Sequence, residues 1–98
     1  MKILTSSPAA KELREAVQWY ETKQPGLGAQ FLDAVDTAFS RISAHPEIGT
    51  VISEDGHTRR VLVTAFPYQV VYYLTPDEII IVAIAHLRRQ PGYWMQRN

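Results

Sequence analysis

Apolar residues recur at helical spacing in the first half of the chain and crowd into short β-branched runs in the second. Ala9, Leu13, Ala16, Val17 and Tyr20 share one helical face, while Lys11, Glu15 and Gln18 point away from it. Ser7-Pro8 predicts the start of this helix, with serine as the cap and proline at the first helical position. Before it, Lys2 to Thr5 predicts a short strand. Gln24-Pro25-Gly26 stops the helix, because Pro25 has no amide hydrogen to donate and Gly26 accepts turn conformations. Phe31, Leu32, Val35, Ala38, Phe39 and Ile42 form a second stripe, ended by His45-Pro46. The short connection predicts an antiparallel helical hairpin.

Glu47 to Thr58 reads as a loop with a short extended piece at Val51-Ile52. Arg59 to Thr64, Tyr68 to Leu74 and Glu78 to Ala85 are rich in Val, Ile and Tyr and predict three strands, turned at Ala65-Phe66-Pro67 and Thr75-Pro76-Asp77. Such short turns predict an antiparallel meander. Ile79 to Ala85 is apolar at every position, so both faces of that strand need cover. The hairpin supplies one; the C-terminal segment or a partner protein must supply the other. The fold class is therefore α+β, in the order β-α-α-β-β-β, with the hairpin packed on a small, mainly antiparallel sheet.

Composition narrows this further. The 98 residues suffice for one core, and a single domain over 1–98 is expected. A content of 46% hydrophobic and 20% charged residues excludes disordered and membrane-embedded classes. No cysteine is present, which removes disulfides, thiolate metal sites and a cysteine nucleophile. The N-terminus has no long apolar export segment, and the longest apolar run is far shorter than a membrane span, so a cytoplasmic protein is expected. Ten basic and ten acidic residues cancel, but residues 79–98 hold His86, Arg88, Arg89 and Arg97 and no acid. A polyanion would meet the C-terminal part first.

Candidate chemistry gathers there. Arg60, Arg88 and Arg89 suit phosphate clamping, since guanidinium forms two parallel hydrogen bonds and does not act as a base. His86 and Tyr93 are the plausible proton-transfer pair of the region. Each residue also has a structural reading. His86 can close a strand end against a backbone carbonyl, and Arg88 and Arg89 can keep the apolar strand from pairing between molecules. Tyr93 and Trp94 either latch the tail onto the sheet or form part of a partner-binding surface. Phe66-Pro67-Tyr68 reads as a packed corner, and Trp19 and Tyr20 as core and core-edge residues. Glu12, Glu15, Asp33 and Asp36 fall on expected solvent faces, and no clustered His and carboxylate spacing suggests a metal or any other cofactor.

Several segments resemble the RelE/ParE toxin superfamily, and within it the plasmid-stabilisation branch. They are Glu12-Leu13, Trp19-Tyr20, Pro25-Gly26-Leu27-Gly28, Phe31-Leu32, Arg59-Arg60, Phe66-Pro67-Tyr68, Val71-Tyr72, Ala85-His86, Arg88-Arg89 and Pro91-Gly92-Tyr93-Trp94. The resemblance implies the toxin of a type II toxin-antitoxin system, neutralised by a cognate antitoxin, as a homodimer or a hetero-oligomer with it. It offers two activities on one fold. ParE-like members bind DNA gyrase; RelE-like members cut messenger RNA on the ribosome as metal-independent endoribonucleases. In the ribonucleases, basic residues stand where this chain has Leu62 and Gln69, so the ParE-like reading is favoured. An inactive relative that keeps antitoxin binding is the third reading.

Overall fold

The orphan amides at the start of the first helix are met by Ser6, whose hydroxyl accepts the Ala9 N–H at 3.3 Å. Ser6 holds the extended backbone of a cap (φ −65°, ψ 154°), so Ser7 is already helical and Pro8 sits second rather than first. The sequence misplaces the cap by one residue because two serines stand in a row and either can accept the bond. The computed structural model describes residues 1–97. Its elements are β1 (Lys2–Thr5), α1 (Ser7–Lys23), α2 (Leu27–Ala44), β2 (Thr50–Val51), β3 (Thr58–Leu62), β4 (Tyr68–Leu74), β5 (Glu78–His86) and a final 3-10 turn (Tyr93–Arg97).

The sheet runs β1-β5-β4-β3-β2, with β1 parallel to β5 and every other pair antiparallel. This is the expected α+β order with the short piece after α2 added as β2. That strand lies one residue before its predicted place. β3 ends at Leu62 rather than Thr64, because Ala65 adopts a left-handed conformation (φ 71°) and turns the chain.

The helical hairpin is fixed at its bend. The Glu21 carboxylate accepts the amides of Gly26 at 3.0 Å and Gly28 at 3.0 Å, so a side chain of α1 caps the start of α2. Gly28 lies where an added Cβ would come within 2.7 Å of the Val17 carbonyl oxygen, and this lets the two helices meet backbone to backbone. Beneath them, the Tyr20 ring stacks on Phe31 at 5.0 Å, and Phe66 and Tyr68 meet Phe31 edge-on at 5.1 and 4.9 Å. The Phe66-Pro67-Tyr68 corner is thus a core element. Trp19 is not: it is 54% exposed, and its ring carries the Lys23 ammonium 4.8 Å from its centroid.

β5 explains its own composition. Ile79, Ile81 and Ile84 face the helices, while Ile80, Ala83 and Ala85 face the opposite side. The alternation breaks between Ile81 and Ala83, where the register against Val71 and Tyr72 shifts and Val82 is the extra residue of a β-bulge. Both faces are covered at that point. The open face of the sheet is shielded locally by Trp94, which packs with Val71, Val82, Ala83 and Ala85, so the C-terminal segment provides the second cover. No described helix is long and apolar enough to cross a membrane.

Candidate functional site

Strand parity decides where each candidate residue points. Arg60 pairs with Val71 and so projects from the open face of the sheet; His86 pairs with Tyr68 and projects toward the helices. The two therefore stand on opposite sides. Arg59, next to Arg60, turns inward, and its Nη1 donates to the carbonyls of Glu47 and Gly49 at 2.9 Å each, which ties down the loop after α2. Tyr72 completes that anchor: its hydroxyl donates to the Pro46 carbonyl at 2.6 Å and accepts the Gly49 amide at 3.0 Å.

On the helix side, a cleft of about 500 Å³ lies between α1 and the ends of β4 and β5, lined by Glu15, Trp19, Tyr68, His86, Arg89 and Tyr93 among others. His86 Nδ1 accepts the Arg88 amide at 3.0 Å, so the ring is held by an N–H donor rather than by the carbonyl expected. Arg88 itself is exposed. Arg89 lies across the Tyr93 ring, its guanidinium carbon 4.0 Å from the centroid.

The centre of this region is Glu12, which the sequence places in solvent. One carboxylate oxygen accepts the Ile84 amide at 3.1 Å and Arg97 Nη1 at 3.0 Å; the other accepts the Tyr93 hydroxyl at 2.6 Å and Arg97 Nη2 at 3.1 Å. Arg97 Nη1 also donates to the Val82 carbonyl at 3.1 Å. The arrangement follows from the sheet. β1 stops opposite Ile81, which leaves the edge of β5 at Val82 and Ile84 without a strand, and Glu12 and Arg97 take up its backbone groups instead. Glu12 and Arg97 were both missed as site residues. Their signal was present for Glu12, which lies three residues after Ala9 and four before Ala16, both on the buried face.

Burial first, then the Glu12 hydrogen bond and charge, push the Tyr93 phenol far above its ordinary value near 10. Its proton is committed to Glu12, and at neutral pH the phenol is no base. Desolvation also raises Tyr20, Tyr68 and Tyr72. A raised folded value favours the neutral phenol, so this stability is complete below about pH 10 and drains away as pH rises above it. Chemical denaturation at pH 9 and pH 11 should therefore show a loss at the higher pH, and Tyr93→Phe should flatten it. Equal slopes for the two proteins would exclude Tyr93 as a contributor.

On the opposite face, a larger open groove of about 1370 Å³ is lined by Ile52, Arg60, Tyr73, Ile80, Leu87 and Trp94, with Arg89 at its rim. Among the described residues, the Arg60 guanidinium meets only the Gln69 Oε1, at 3.5 Å from Nη1, so it is available to a ligand. The candidate residues thus divide into His86 on one side and Arg60 and Trp94 on the other, with Tyr93 and Arg89 bordering both.

With this geometry in hand, residues 3–91 match the family described as ParE toxin of type II toxin-antitoxin system, parDE. The chain belongs to the ParE toxin family. The fold agrees: a solved structure titled "Chromosomal ParDE TA system from P. aeruginosa" superposes with a TM-score of 0.64, covering 88% of this chain and 95% of that one at 18% identity. No curated protein matches the chain by sequence. The ParE family match ends at Pro91, so Glu12 lies within it while Tyr93, Trp94 and Arg97 lie beyond it.

Proposed function

We propose that this ParE family member is the toxin of a type II toxin-antitoxin pair, that it acts by binding a macromolecular target, and that an antitoxin neutralises it. The observation that carries this reading is the separation of the candidate groups. RNA cleavage needs a proton acceptor, a phosphate clamp and a proton donor around one phosphate. Here Arg60 stands on one face of the sheet, His86 on the other, and the Tyr93 proton is bonded to Glu12. The open groove with its free Arg60 and apolar floor suits a protein surface. DNA gyrase is the target that the family resemblance points to.

Controlled expression in a bacterial host tests this, with growth, DNA supercoiling and messenger RNA ends followed in one culture. Growth arrest with altered supercoiling and intact messages is expected, and Arg60→Ala should relieve the arrest. Codon-phased cuts in messages would overturn the binding mechanism in favour of a ribonuclease. Unaffected growth would leave an inactive relative.

A further inference from the structure

The cleft between α1 and the ends of β4 and β5 has no part in the function proposed above. At about 500 Å³ it has the size of a small-molecule site, and its walls are aromatic: Trp19 and Tyr20 on the helix, Tyr68, His86 and Tyr93 across from them. Ala16, one turn from both Glu12 and Tyr20, leaves room on the helix side. Tyr68 and His86 meet edge to face at 5.1 Å, and the Trp19 ring stands half-exposed opposite. Such walls suit a flat ring better than a branched aliphatic chain.

Polar groups line this apolar space without bonding to one another. The hydroxyls of Tyr72 and Tyr93 are both bonded, whereas those of Tyr20 and Tyr68 have no partner among the described residues. Neither is sealed from solvent, since among those residues only Arg59 Nε is a buried side-chain atom without a partner. Burial keeps both phenols protonated, so each has a hydrogen to donate. His86 commits Nδ1 to the Arg88 amide, which leaves Nε2 for a ligand. Arg89 forms no ion pair among the described residues, and its guanidinium lies 4.0 Å from the Tyr93 centroid. An arginine held through its face keeps its edge of N–H donors for an anion.

The acids set how much negative charge the cleft accepts. The Glu12 charge is met by Arg97, but Glu15 on the helix side is exposed and unpaired among the described residues. It would repel a phosphate dianion, while a single carboxylate held across the cleft by Arg89 is tolerated. We infer that this cleft binds a small aromatic monocarboxylate, with its ring between Trp19 and the Tyr68–His86 pair and its carboxylate on the edge of Arg89. The inference does not depend on the toxin reading.

Indole-3-acetate is the probe, titrated into the full chain while the Trp19 indole N–H, the Trp94 indole N–H and the His86 ring are followed by NMR. Saturable shifts at Trp19 and His86 are expected, with a dissociation constant between about 0.1 and 1 mM for a ligand of this size. Indole-3-acetamide keeps the ring without the charge and should bind about tenfold more weakly or worse; Arg89→Gln should weaken indole-3-acetate as much. Trp19→Ala should also weaken it. Both substitutions fall on exposed side chains, so the amide spectrum should show the wild-type fold. Larger shifts at Trp94 than at Trp19 would move the ligand to the open groove and overturn the assignment. Equal affinity for the acetamide would overturn the carboxylate class, and displacement of the probe by equimolar inorganic phosphate would make the cleft a phosphate site instead. Absence of any shift at about 10 mM probe would overturn the inference outright.

Discussion

Glu12→Ala should destabilise the protein by about 3 kcal/mol, a drop of roughly 12–24 °C in melting temperature for a chain of this size. The substitution strips one acceptor from three donors at once: the Ile84 amide, the Tyr93 hydroxyl and the Arg97 guanidinium. The Glu12 and Arg97 side chains are 15% and 22% exposed, so the pair is too buried to be treated as a surface ion pair worth a few tenths of a kcal/mol. It is also too wet for the full cost of an isolated buried charge. Glu12→Gln keeps an oxygen for the Ile84 amide but sets an NH2 donor where the second oxygen accepts from Tyr93 and Arg97, and it should still cost less than Glu12→Ala. Calorimetry on both variants checks this. A loss of less than about 3 °C in Glu12→Ala would mean that the cluster decorates the surface and does not hold the β5 edge closed.

Phe31→Ala should cost about 3–5 kcal/mol, a large part of the stability of an ordinary domain. Phe31 is fully buried, and it is the ring on which the helical hairpin and the β3–β4 corner converge. Its removal leaves Tyr20, Phe66 and Tyr68 around a hole, and Tyr20 and Tyr68 each have a hydroxyl that limits how far they can collapse into it. Phe31→Leu, which keeps most of the volume, should cost no more than about 1.5 kcal/mol. Urea unfolding followed by circular dichroism separates the two, and equal midpoints would show that the cluster tolerates a void.

The hairpin and the three-strand meander were readable because period 3.6 and short β-branched runs are local signals. Their failures are equally local. Trp19 neighbours Tyr20 on the helical wheel but lies outside the sheet's footprint, so the same periodicity that buries one exposes the other. Glu12 holds a buried-face position, and its polarity concealed this because the partners, Tyr93 and Arg97, are 81 and 85 residues away. The bulge was invisible for a different reason. A run apolar at every position contains no alternation to break, so nothing betrays the extra residue at Val82. Yet that residue sets the layout of the candidate site. By simple alternation His86 would share the face of Ile80, which is also the face of Arg60; the bulge sends it to the other side. The candidate residues were legible one by one, and their grouping was not.

The pairing of β1 with β5 has a kinetic consequence. Ser6, just past the end of the first strand, bonds to Val82, 76 positions along the chain, and the partners of β1 are among the last strand residues to be made. A growing chain can form α1 and α2 early, but their aromatic underside finds its cover only when Phe66, Tyr68 and β5 have been synthesised. Contacts of such long separation delay folding until their closing entropy can be met. The nascent chain should therefore carry a helical hairpin with its apolar face uncovered while the residues from Ala44 to His86 are added, and then acquire its sheet and its closed edge almost together.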